Sequence, residues 1–311
     1  MKNKVKAILV HIGMNMWEDS QPKHFEKDYL KERMYCPSLQ FNEECWDTML
    51  KSMSEYGLNM IVLDLGDGII YKSHPELAVK GAWSPKKLKE ELKRIKGFGI
   101  EPIPKMNFST CHDTWLGIYS RMVSTPSYYQ CCRELISEVT ELFSSPRFFH
   151  VGMDEENFEN QKFYDYQTVR SGNLWWDDLN FYFEQIKVNG MRSWMWSDVL
   201  WNCDENLFRN RVPIDVLQSN WYYGKNFYNL EPESATFKAV NAYSKLDQLG
   251  YEQIPTASNW SNDDNLSMTV EYCNKNLNGK SLLGFMTAPW YPTKNKYCLR
   301  IVNAIKQFPE I

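Results

Sequence analysis

Residues 83–107 read WSPKKLKEELKRIKGFGIEPIPKMN, and their two halves obey different periods. Ser84 is placed to cap a helix, and Pro85 takes the first helical position, where a missing N–H costs nothing. Leu88, Leu92 and Ile95 then share one face, and Gly97 and Gly99 stop the turn. From 101 to 107 the chain has the continuous apolar character of a strand covered on both faces. A helix followed directly by a doubly buried strand is half of a β/α repeat.

The same device recurs in both directions along the chain. STPSYYQCCRELISEVTELF (124–143) starts a helix at Thr125 and Pro126, and DDNLSMTVEYCNKN (263–276) sets Leu266, Val270 and Cys273 on one stripe. Strand patterns fall at 7–12, 60–65, 101–107, 148–153, 192–197, 214–219, 253–257 and 282–287. Helical patterns follow them near Glu44, Lys87, Gln130, Leu179, Phe237, Thr269 and Leu299, with a short fifth connection at 204–211. Eight such units predict an α/β fold, a single (β/α)8 TIM barrel over 1–311, with no linker or composition shift to mark a second domain.

Composition narrows the partners. A net charge of −4 and a pI near 5.8 give no electrostatic footprint for nucleic acid or an anionic membrane surface. No run approaches the ~18 apolar residues of a membrane span. The opening MKNKVKAILVHIGMNMWED puts lysines before a short apolar stretch but offers no small-residue cleavage site before Trp17. It predicts a first strand and a cytoplasmic protein, or a periplasmic or secreted one if a leader has been removed. The eight cysteines show no repeated spacing and are expected as buried thiols. The unusual feature is 15% aromatic content, with 12 Trp and 18 Tyr, whose flat faces suit the C–H face of a sugar as well as a core. A carbohydrate is the expected partner; the pattern sets no oligomeric state.

Active sites of this barrel lie at the C-terminal ends of the strands. Those ends carry Asp64 and Asp67, Asn107 and His112, Asp154 and Glu155, Trp196 and Asp198, Asn220 to Tyr223 (with Trp221 and Tyr222 between), Asn259 and Trp260, and Trp290. The fourth, FFHVGMDEEN (148–157), runs from an apolar strand straight into three acids. A solvated loop would tolerate them, and Glu156 reads as a solvated neighbour. Acids beside several tryptophans at a barrel mouth read as a sugar site. Most glycosidases use two opposed carboxyl groups. A glutamate nucleophile on the seventh strand would stand near 257–260, but TASNWSNDD supplies no acid before Asp263. Adjacent acids on one strand suit another scheme, in which the substrate's own 2-acetamido oxygen attacks the anomeric carbon. Asp154 would polarise the acetamido N–H and Glu155 would act as general acid. Cys111, His112 and Asp113 are metal-ligating types, but consecutive residues do not readily converge on one ion, so neither metal nor cofactor is expected. His150 reads equally as a core histidine or a site residue, Trp175 and Trp176 as core, and Trp201 as either.

HVGMDE (150–155) resembles the His-x-Gly-Gly-Asp-Glu motif of glycoside hydrolase family 20, the β-N-acetylhexosaminidases, with Met153 in place of the second glycine. The likeness extends upstream through DLGDGIIYKSHPELAVKGAWSPKKLKEELKRIKGFGIEPIPKMNFSTCH (64–112), and downstream to WMWSDVL (194–200) and GFMTAPW (284–290). It covers roughly residues 60–290. It implies that Asp67 and His112 form a relay with Glu155, that Trp196 and Trp290 line the sugar site with Trp290 stacking on substrate, and that Tyr222 or Tyr223 in NWYYG binds the acetamido group. His150, Asp198, Trp221 and Trp260 complete the candidate substrate-binding set. Two features of the family pattern are missing: an Arg near the end of the first strand, and a Glu two residues after the last-strand Trp, where this chain has Tyr291 and Pro292. The N-terminal α/β domain common in that family is also missing from this sequence. The reading is therefore a retaining glycoside hydrolase acting on terminal 2-acetamido sugars. The alternatives are a catalytically silent sugar-binding barrel, or a glycosidase that uses Asp198 or Asp67 as its second carboxyl.

Overall fold

A computed structural model describes residues 4–17, 33–162 and 164–309. Among the described residues eight parallel strands, β1 (Val5–His11), β2 (Met60–Asp64), β3 (Glu101–Lys105), β4 (Phe148–His150), β5 (Arg192–Trp196), β6 (Leu217–Ser219), β7 (Thr256–Ala257) and β8 (Gly284–Thr287), alternate with eight α-helices. These are α1 (Glu43–Glu55), α2 (Pro85–Gly97), α3 (Pro126–Phe143), α4 (Asn173–Val188), α5 (Glu205–Arg211), α6 (Ala235–Gln248), α7 (Asn265–Asn276) and α8 (Asn295–Lys306). The strands pair in the order β6-β5-β4-β3-β2-β1-β8-β7. Single bridges Gln218↔Gln253 and Trp221↔Thr256 close the ring between β6 and β7. This is the expected (β/α)8 barrel.

Local chemistry sets the helix starts. Side-chain oxygens of Ser84, Thr125, Asp204 and Ser234 accept the backbone N–H three residues on, each satisfying a donor that the first turn leaves open. Strand alternation sorts the core into two layers. Ile8 and Val10 face the helices, whereas Val5, Ala7 and Leu9 point inward with Met60, Val62, Ile103, Trp194 and Met286. The interior also holds charge: Lys105 donates to Asp64, and His11 Nδ1 lies 3.5 Å from the same carboxylate, all three buried. Such a pair persists only because each charge meets its partner.

Several expected strands prove shorter. β4 ends at His150 because Gly152 and Met153 both turn to φ 71°. β6 begins at Leu217, leaving Ile214 exposed, and β7 keeps two residues beyond Pro255. All eight cysteines are free thiols. Among the described residues no helix is long and apolar enough to cross a membrane.

Candidate active site

The chain leaves β4 through a bend that only its own sequence permits. At Gly152 a Cβ would fall 1.9 Å from the Asn107 side-chain oxygen, so the glycine lets that amide into the heart of the turn. Asn107 Oδ1 accepts from the Met153 N–H (3.1 Å) and the Ser109 N–H (3.1 Å), while its Nδ2 donates to Asp154 Oδ1 (2.8 Å). Ser109 Oγ donates to the Asp154 carbonyl. Glu155 sits at φ 56°, an uncommon conformation for a side-chain-bearing residue, with its N–H donated to Asp198 Oδ2 at 2.9 Å and its carbonyl accepting from the Cys111 thiol. These bonds hold the two acids at fixed aim over the barrel mouth.

His112 stands between them. Its Nε2 is 3.4 Å from Asp154 Oδ2 and 3.3 Å from Glu155 Oε2. Burial alone would lower its pKa, but the charges of Asp154 and Glu155 outweigh it and raise the imidazole to about 10. Burial likewise opposes ionisation of Asp154, yet His112, Lys105 and the Asn107 amide hold it down at about 2. Asp198 moves the other way, pushed up to about 8 by burial and by the charge of Asp154. Near neutral pH these shifts favour the protonated form of His112 and the ionised form of Asp154, and pull Asp198 towards the neutral acid.

The acids open into a cavity of about 440 Å³, the size of a small-ligand site. His112, Asp154, Glu155, Trp221, Tyr223, Trp260 and Trp290 all line it. Trp221 stacks on Tyr223 (5.1 Å between ring centres), Trp260 meets Tyr291 (5.0 Å), and Trp290, at φ 59°, packs against Trp196 (5.9 Å) and His11 (5.7 Å). The other sequence candidates lie behind this wall. Trp196 is fully buried. His150 is buried against Trp194 and Trp196, its Nδ1 accepting from the Gly152 N–H and its pKa held well down by burial. Asp198 acts on Glu155 through the backbone, and Tyr222 packs against Phe227. Asp67 accepts from Asn15 Nδ2 (2.6 Å), and burial raises it to about 7. Asn15 in turn exchanges two hydrogen bonds with the Cys36 backbone, which ties those two positions together.

Some residues of the site escaped sequence reasoning. Asn107 was visible only as a strand end, yet it is the hub of the turn. Met14, Met16, Trp17 and Arg33 enter the cavity from the segment after β1, with the Arg33 guanidinium 5.0 Å over the Trp17 ring. Lys296 and Tyr297 come from the start of α8. Glu156 requires correction: its side chain is buried, not solvated, and Arg170 grips it with Nε at 2.9 Å and Nη2 at 2.6 Å. Arg170 also reaches Asp178 on α4 at 2.9 Å, tying the acid-bearing loop to the barrel wall. Trp175 and Trp176 are core, and Trp201 donates to Asn220 beneath Trp221. Among the described residues, His112, Asp154 and Glu155 also form the cluster whose ligand atoms, within 4.8 Å of one another, could hold a metal ion.

No family model matches this chain, and no curated protein matches it in sequence. Solved structures do. Dispersin B is similar over 98% of this chain and 97% of its own, at 14% identity and a TM-score of 0.62. The β-N-acetylhexosaminidase from Bacteroides fragilis is similar over 100% of this chain and 67% of its own, at 15% identity and a TM-score of 0.63. An exo β-N-acetylglucosaminidase of family 20 from Vibrio harveyi, solved with N-acetylglucosamine, matches 98% of this chain at 12% identity and a TM-score of 0.62, and the chain spans 54% of it. The resemblance carried by HVGMDE is thus matched in fold along the whole chain.

Proposed function

We propose that this barrel, as one catalytic domain, is a retaining glycoside hydrolase that removes terminal 2-acetamido sugars with the substrate's acetamido oxygen as nucleophile. The observation that carries the reading is the adjacent pair Asp154 and Glu155, both lining one aromatic-walled cavity and both in contact with His112. Two carboxylates from neighbouring positions cannot flank a sugar ring on opposite faces, so in this reading the nucleophile comes from the substrate. The family-20 fold is compatible with that route.

In the first step the acetamido carbonyl oxygen attacks the anomeric carbon as the bond to the leaving oxygen breaks, and Glu155 delivers a proton to that oxygen. Asp154, fixed by Asn107 and held ionised, accepts the acetamido N–H and stabilises the positive charge of the oxazolinium-like intermediate. In the second step Glu155 takes a proton from the water that opens this ring, which restores the configuration at the anomeric carbon. His112 supports both steps as the proton-bearing neighbour of Glu155. Tyr223 and Trp290 wall the sugar, with Trp221 and Trp260 beside them. Asp67 contributes through Asn15 by holding the β1 side of the mouth.

Release of chromophore from aryl N-acetylhexosaminides tests the reading, together with inhibition by a thiazoline mimic of the intermediate. Turnover of those substrates and micromolar-or-better inhibition are expected. Thiazoline binding without turnover would identify a silent sugar-binding barrel. Hydrolysis of plain glucosides unaffected by thiazoline would exclude substrate assistance.

A further inference from the structure

The same three side chains that divide a proton have the spacing of a zinc site. A tetrahedral Zn²⁺ with bonds of about 2.0–2.1 Å separates its ligand atoms by about 3.3–3.4 Å. His112 Nε2 stands 3.4 Å from Asp154 Oδ2 and 3.3 Å from Glu155 Oε2, two edges of such a tetrahedron already in place. The third pair of ligand atoms lies within the 4.8 Å spread of the cluster, and the Glu155 side chain is 38% exposed. Magnesium would require edges of about 2.9 Å and prefers oxygen ligands, and calcium takes six to eight oxygens. The nitrogen and the longer edges favour zinc.

The surroundings of the imidazole point the same way. His112 is only 5% exposed and lines the cavity; its Nε2 faces both carboxylates outside good hydrogen-bond geometry, and its Nδ1 has no hydrogen-bond partner among the described residues. Buried polar groups ordinarily make well-formed hydrogen bonds, so this imidazole is under-satisfied. Asp154 is prepared as well: Asn107 occupies its Oδ1, which orients the carboxylate and leaves Oδ2 for an ion. Three protein ligands facing a cavity leave a fourth position for water, the arrangement of accessible rather than sealed zinc sites.

We propose that His112, Asp154 and Glu155 bind one zinc ion reversibly, the ion displacing the Nε2 proton of His112 to solvent, and that zinc thereby inhibits the enzyme. The ion takes the Asp154 oxygen that would receive the acetamido N–H and the Glu155 oxygen that would carry the proton, so zinc and substrate exclude each other. The zinc site stands on geometry alone; the inhibition rests on the glycosidase reading. His112 has no partner for Nδ1, the outer-shell bond that dedicated zinc sites supply, so an exchangeable regulatory ion fits better than a permanent one.

The test is zinc sulfate titrated into the full chain, read by calorimetry and by competition with a chromogenic chelator. One equivalent is expected to bind, with affinity at least tenfold weaker in His112→Asn and in Glu155→Gln. On the wild type, excess thiazoline is expected to displace the ion, and chromophore release is expected to fall in step with zinc occupancy and recover with chelator. No zinc uptake, equal uptake by both variants, or uptake indifferent to thiazoline would overturn the site. A zinc-saturated protein that hydrolyses at full rate, or faster, would overturn the inhibition. If zinc binds as described and no aryl glycoside is turned over, the glycosidase reading fails while the site stands.

Discussion

The two sides of the cavity are built on opposite principles. On the β3–β4 side hydrogen bonds and ion pairs do the holding: Asn107 ties Met153, Ser109 and Asp154 together, Asp198 takes the Glu155 N–H, and Arg170 clamps Glu156 to α4. On the β7–β8 side the wall is aromatic, with Trp260 against Tyr291 and Trp290 over Trp196 and His11, and contacts are made by ring faces. Hydrogen bonds fix direction, which proton transfer needs, whereas ring faces tolerate small displacements, which suits recognition of a sugar's C–H surface. Changes on the first side should therefore fall on the chemical step, and changes on the second on binding.

The largest expected effect is at Glu155. Glu155→Gln keeps the shape and removes the proton, so kcat for poor leaving groups should fall by about 10²–10⁴. A wild-type rate in that variant would dissolve the contrast at its strongest point. Asp154→Asn comes next: it can still pair with an amide but loses the charge facing the oxazolinium, a cost of about 2–4 kcal/mol seen in kcat and confined to 2-acetamido substrates. On the other side, Trp260→Ala should raise KM several-fold, with kcat nearly unchanged. A selective loss of kcat there would mean that the aromatic wall also positions the reacting atoms.

The smallest effect is one of stability against pH. The His112 pKa is raised above its ordinary 6.5 to about 10 by Asp154 and Glu155, against burial. Its contribution is therefore complete below about pH 6.5 and is lost as pH rises towards 10. The denaturant midpoint of the wild type should fall across that window, and His112→Asn should flatten the fall. Asp154, depressed to about 2, contributes in the opposite range: its stability is present above about pH 4 and lost as pH drops towards 2. Equal slopes for wild type and His112→Asn between pH 6.5 and 10 would show that the ion contacts of the acid side count for little in the folded state.

The barrel was legible because its signals are local. A capping Ser84, a Pro85 and a Leu-Leu-Ile stripe announce α2 without reference to any distant residue. Strand ends were less legible, because β4 is cut short by left-handed backbone at Gly152 and Met153, and Met153 is not a residue that advertises such a turn. Within the site, Asp154 and Glu155 stood out as charge following an apolar run. Arg33 and Glu156 did not, since no local period places them: Arg170, the partner of Glu156, lies 14 positions away in a connecting loop.

The seam between β6 and β7 has a mechanical meaning. Elsewhere the ring is held by strand ladders, from five paired residues between β1 and β2 down to one, Lys105 with His150, between β3 and β4; here the described residues form no ladder, and the ring is clasped at two separate points, Gln218 with Gln253 and Trp221 with Thr256. A closed hoop gives way at a thin joint. Amide protons of Ile254 and Thr256, which donate across this joint to Gln218 and Asn220, should exchange with solvent sooner than those of β1, so that the barrel opens first beside Trp221 and behaves under stress as a curved sheet with a latch.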